Sequence, residues 1–137
     1  MARQTPVLVK SFPGDTQIPI NTVVVASGTN TGNVALPSAA GAKGIIGVTQ
    51  QVFDGANYGP VIVVGVAQCR ILTGTAINFG DLLKAADTTG RVTKAVPVAT
   101  GGANVRGVVG TALQSIVSTA PTDSLIDVLL SPGIIVE

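Results

Sequence analysis

The feature that most constrains this chain is its supply of β-branched residues. Val 21, Ile 11 and Thr 15 make up about a third of 137 residues. Such side chains are stiff at χ1 and pack well on a pleated surface. They are cut into short runs by Gly 17 and Pro 8. Frequent turn residues suit many short strands and do not suit long helices. The expectation is an all-β fold, a small bent β-barrel or sandwich with an extended N-terminal arm and at most one short helical turn.

The runs can be placed. Pro6, Pro13 and Pro19 are too close together for a helix or a central strand. Residues 1–20 read as an arm with one edge strand at about 6–11, and residues 21–137 as a single β-barrel-like domain. In that domain TVVVA (22–26), VAL (34–36), IIGVTQQVF (45–53), VIVVGVAQCRI (61–71), DLLKA (81–85), RVTKAVPV (91–98), VRGVVGTALQ (105–114) and SLIDVLLS (124–131) read as strands, with PGIIVE as a tail. SAAGAKG (38–44) has room for a turn of helix at most. DGANYGP is turn chemistry and predicts a hairpin between 45–53 and 61–71. Asp87 opening and Gly90 closing a quartet predicts a type I turn followed by a left-handed glycine.

GIIGVTQ at 44–50 resembles RGVVGTALQ at 106–114, and a second strand follows each. Two origins fit: an internal duplication, or convergence of cheap sequence. Gly47, Gly65 and Gly110 interrupt apolar strands, where glycine marks a bulge or a close backbone approach.

Catalytic chemistry is thinly supplied. With no His, neither a Ser-His-Asp nor a Cys-His arrangement can exist. One Cys excludes an internal disulfide. Cys69 reads as a small buried hydrophobe. Asp81, Lys84 and Arg91 are the only cluster an enzyme could use, and solvated hairpin charges explain them more simply. No metal-ligand spacing is present, so no metal or cofactor is expected. Net charge is +1, with no Trp and one Tyr, so neither a cationic footprint nor a stacking platform for nucleic acid exists. The longest apolar stretch, PVIVVGVA at 60–67, is far short of a membrane-spanning helix. The N-terminus lacks the features of a secretory signal, so synthesis in a cytoplasm is expected. Charged residues are only 11% of the chain, which fits either a surface partly covered by partners or a monomer coated with Thr, Ser and Asn. Arg70 and Arg106 lie inside apolar runs and are candidate subunit-interface residues.

Further pieces carry a family likeness: LVKSF (8–12), GIIGVTQ (44–50), VIVVGVAQCRI (61–71), INFGDLLKAADTTGRVTKA (77–95), RGVVGTALQS (106–115) and IDVLLSPGIIV (126–136). In this order the sequence resembles the small head decoration (capsid cement) proteins of tailed bacteriophages. Residues 13–43 depart from the pattern. The resemblance implies a non-enzymatic virion protein on the outer surface of the phage head. It implies the major capsid protein as partner, a homotrimer, and clamping of neighbouring capsid subunits against internal DNA pressure. The arm, with Arg3, Thr5, Val7, Val9 and Lys10, is the expected capsid-binding element, adding as a strand to a sheet edge. Two alternatives are a glycan-binding surface or fibre module using Tyr58, and a trimeric β-barrel enzyme with intersubunit sites.

Overall fold

The computed structural model describes residues 5–54, 57–96 and 105–136. Nine strands form: β1 (Thr5–Pro13), β2 (Val23–Ala26), β3 (Val34–Ala35), β4 (Ile45–Thr49), β5 (Tyr58–Arg70), β6 (Leu82–Ala85), β7 (Val92–Lys94), β8 (Val105–Ala112) and β9 (Leu125–Val136). The described residues contain no helix; 38–44 is turn and bend. The strands make one curled, open sheet in the order β3-β2-β4-β5-β9-β8-β6-β7, a half-barrel, with β1 added on β5. The all-β expectation holds. The arm forms its strand, and both hairpins appear as antiparallel pairs, β4–β5 and β6–β7. Gly90 closes the second hairpin at φ +78°. One expectation is corrected. The C-terminal run is not a tail after Ser131, because Gly133 to Val136 pair with β8 and extend β9.

The sheet is a duplication, and its register shows this residue by residue. Val23↔Val48 and Val24↔Gly47 join β2 to β4. Leu82↔Thr111 and Leu83↔Gly110 join β6 to β8 in the same way. Val48↔Ile62 between β4 and β5 becomes Thr111↔Leu129 between β8 and β9. Val25↔Ala35 becomes Lys84↔Thr93, the residue pair adjoining Leu83↔Lys94. Even the isolated bridges recur: Gly14↔Val34 and Ile71↔Val92 are both parallel, while Ile18↔Phe53 and Ile77↔Ile116 are both antiparallel. The strand order is therefore two copies of one four-strand motif, placed back to back at β5 and β9. Convergence of two short peptides would not reproduce registers on strands outside those peptides.

β5 belongs to both copies. Its first half pairs with β1 from Pro13↔Tyr58 to Thr5↔Val66. Its second half pairs with β9 from Val66↔Leu129 to Arg70↔Leu125. Thus the second half of β5 does for repeat 2 what β1 does for repeat 1. The junction needs a reversal of faces. Ile62 and Ala67, five positions apart, both enter the larger core, which strict alternation forbids. Gly65 lies between them at φ +118°, a conformation L side chains rarely adopt, with β1 crossing where a Cβ would sit.

Two apolar clusters result. The larger joins Val23, Val48 and Ile62 of repeat 1 to Ala67, Cys69, Leu83, Val109 and Val128 of repeat 2. The smaller lies on the other face of repeat 1 and contains Ile18, Val24, Val34, Phe53 and Val61.

Candidate functional site

The sequence candidates separate into an exposed strand and an internal charge network. β1 is exposed from Thr5 to Ser11. Val7 is 75% exposed and Leu8 51%, values unusual for apolar strand residues. Lys10 holds its ammonium over the Phe12 ring, 5.6 Å from the centroid. β1 pairs only with β5 among the described strands, leaving its other edge open. An open edge presents unpaired N–H and C=O groups ready to accept another strand. Thr5, Val7, Val9 and Lys10 therefore share one edge strand, whereas Arg3 lies outside the described residues. Phe12 and Pro13 are half-buried, and Phe12 packs on the smaller core, so the strand is held at its C-terminal end.

Arg70 and Arg106 do not act as a pair. Arg70 donates to Asp123 (3.2 Å), to the Thr22 hydroxyl (2.8 Å) and to the Thr89 carbonyl (2.6 Å). Its guanidinium thereby ties repeat 1, at Thr22, to the β6–β7 turn of repeat 2. Arg106 lies across Gly41, and its Nη1 approaches the Ala40 carbonyl at 3.4 Å.

Asp123 is the hub of this network. It sits at φ +73° and accepts from Arg91 Nε at 2.7 Å as well as from Arg70. The hydrogen bond from Arg91, aided by both positive charges, holds its carboxyl below the usual value of 3.8. The same bond raises Arg91. The sign follows: a carboxyl depressed in the folded state adds stability above its unfolded pKa, and loses it as pH falls through the folded one. Asp123→Asn, which keeps a side chain tolerant of positive φ, should lower the melting temperature at pH 7. The cost is about 1 kcal/mol at most, because the carboxylate is half exposed. Thermal unfolding from pH 7 downward should show the two proteins converging below pH 3.8. A difference that persisted unchanged at pH 2 would exclude the ion network as its cause.

The enzyme cluster does not assemble. Asp81 faces Lys94 at 3.5 Å and accepts from the Asn78 backbone N–H. Arg91 instead turns to Asp123 and Asp87. Cys69 is fully buried, and burial pushes its thiol up to about 12, which suits a packing residue and not a nucleophile. No group of three or more metal-ligating side chains occurs among the described residues. Tyr58, at the start of β5, is 72% exposed, and Phe79 is 70% exposed.

No protein-family model matches the chain, and no curated protein does. Among solved structures it is similar to the crystal structure of the head fiber gp8.5 N base in bacteriophage phi29. The likeness covers 90% of this chain and 93% of that one, with a TM-score of 0.60 and 15% identity. The two chains share a fold. It spans nearly the whole of both, so both repeats lie within the likeness.

Proposed function

We propose that this chain is a structural protein of a tailed-phage virion, seated on the outer surface of the head and attached to the major capsid protein. The observation that carries this reading is the shared fold with a head fiber base over 90% of the chain. The order of motifs resembling capsid decoration proteins points the same way. No reaction is assigned: Asp81 pairs with Lys94, Arg70 and Arg91 pair with Asp123, and the one thiol is buried.

The attachment element is β1. Its open edge adds to a sheet edge on the capsid protein, main-chain hydrogen bonds supply affinity, and Val7 and Val9 supply side-chain contacts. Given the fiber likeness, the module serves as the base on which a head projection stands. The clamping role of a cement protein is the second reading, favoured by the low charge of the surface.

Copy number in purified particles separates these readings. Quantitative mass spectrometry against the major capsid protein should find the chain in the virion. A copy number approaching that of the major capsid protein fits a cement role, and a smaller, fixed number fits a fiber base. Absence from particles would reject both.

A further inference from the structure

Along an antiparallel strand, successive N–H groups point to alternate sides. The residues that follow β1 assign those sides. The Gly14 N–H donates to the Asn57 carbonyl (3.4 Å), which continues the β1–β5 ladder. The Asp15 N–H donates to the Val34 carbonyl (3.0 Å), on the other side. The register is regular from Pro13 back to Val9. Phe12 and Lys10 therefore turn their N–H groups inward to β5, while Pro13, Ser11 and Val9 face the open edge. Proline has no N–H. The outward donors on this stretch are Val9 and Ser11.

Repeat 2 has the same arrangement on β5. Ile71 donates to Ser124 and Leu72 to Val92, as Gly14 and Asp15 donate to Asn57 and Val34. Pro13, Ser11 and Val9 thus correspond to Arg70, Gln68 and Val66. On β5 the chain itself covers this edge. The Arg70 N–H donates to the Asn21 carbonyl (3.3 Å), and Val66 pairs antiparallel with Thr5 of β1. On β1 no described strand pairs along the equivalent edge. The donor that Asn21 satisfies in repeat 2 is the one that proline deletes in repeat 1. The donors at Val9 and Ser11 are kept.

We infer that Val9 and Ser11 bind the partner through their main-chain N–H and C=O groups, and that the partner segment runs antiparallel to β1. This rests on β1 being the element that attaches the chain to the major capsid protein. The polarity comes from the internal precedent. The strand that occupies this edge on β5 is β1, and it runs antiparallel to the strand it joins. The occupant is an extended capsid segment with free main-chain groups. Bonds to main-chain groups do not depend on side-chain identity, so Ser11 matters for its N–H and not for its hydroxyl.

Co-sedimentation with heads lacking the protein, titrated to give an affinity, tests the donors. Ser11→Pro deletes an outward N–H and leaves the N–H groups that face β5 in place. Proline is tolerated on an edge strand. The variant should bind about 10-fold or more below Ser11→Ala, which loses the hydroxyl and keeps the N–H. Cross-linking reads the polarity. Val7→Cys and Ser11→Cys, each carrying a thiol-reactive photo-cross-linker, are bound to heads, and mass spectrometry locates the attachment sites. Cys69 is buried and does not take the label. The Val7 site should lie later in the capsid sequence than the Ser11 site. A folded Ser11→Pro variant that binds as Ser11→Ala does would overturn the main-chain assignment, and the reverse order of cross-links would overturn the polarity. Should Ser11→Pro not fold, cross-links from the two positions that do not share one extended capsid segment would overturn the inference. Heads that do not bind the natural chain would reject the proposed function and this inference with it, whereas the other outcomes leave that function standing.

Discussion

Deleting residues 1–9 is expected to abolish attachment to phage heads while leaving the domain folded. Two features of β1 argue for both halves of this result. The side chains of Thr5 to Ser11 are exposed, so the strand's loss removes main-chain pairing with β5 and little buried apolar surface. Ending the deletion at Val9 keeps Phe12, which packs on the smaller core. Attachment would lose the open main-chain edge and the Val7 and Val9 side chains together. Loss of anchors of this kind costs about 2–4 kcal/mol, or roughly 30- to 1,000-fold in affinity. Co-sedimentation with heads lacking the protein measures it, with circular dichroism and thermal unfolding as the control on folding. A folded deletion variant that still co-sediments at the natural level would reject β1 as the attachment element.

The second large effect falls on the duplicated glycines. A Cβ on Gly47 would meet the Ile62 carbonyl oxygen well inside van der Waals contact. On Gly110 it would meet the Leu129 carbonyl oxygen in the same way. Ile62 and Leu129 are equivalent positions in the two repeats, so one packing problem is solved twice by the same residue type. The obstructing atoms are backbone atoms of paired strands, which cannot rotate away as a side chain would. Gly47→Ala and Gly110→Ala are each expected to cost about 3 kcal/mol or more. That is a large fraction of the stability of a typical domain. Gly28→Ala is the control, because its Cβ would meet nothing within 4 Å. Denaturant unfolding of the three variants should separate the pair from the control. Changes within 0.5 kcal/mol at both sites would show that the ladder yields easily and that close approach is not why glycine stands there.

The duplication was half legible in the sequence. GIIG at 44–47 and GVVG at 107–110 stand out, and at Gly47, Gly107 and Gly110 a Cβ would run into backbone atoms. A second signal lies in Thr-Gly-Asn-Val at 31–34 and Thr-Gly-Arg-Val at 89–92. Both place a positive-φ glycine two residues ahead of a buried valine at the start of β3 and of β7. Elsewhere the copies have diverged. Phe53 answers Ile116, and Phe12 answers Cys69, because these positions pack on the smaller core in repeat 1 and on the larger core in repeat 2.

The candidate surfaces were less legible. Val7 and Val9 read as an exposed arm because proline brackets them, and exposed they are. Which N–H groups of β1 face outward gave no such sign, because that depends on the side at which β5 lies. Asp123 was also hidden, since its partners Arg70 and Arg91 are distant in the chain and meet it only through the sheet.

The sequence by itself determined the class of structure: short β-branched runs, glycine and proline between them, no histidine and a single cysteine. These follow from local stereochemistry and from which functional groups exist at all. The tertiary structure decided which copy covers the other, because burial on a two-faced sheet depends on what lies opposite. Val48 and Thr111 occupy the same register in the two repeats, yet only Val48 is sealed from water.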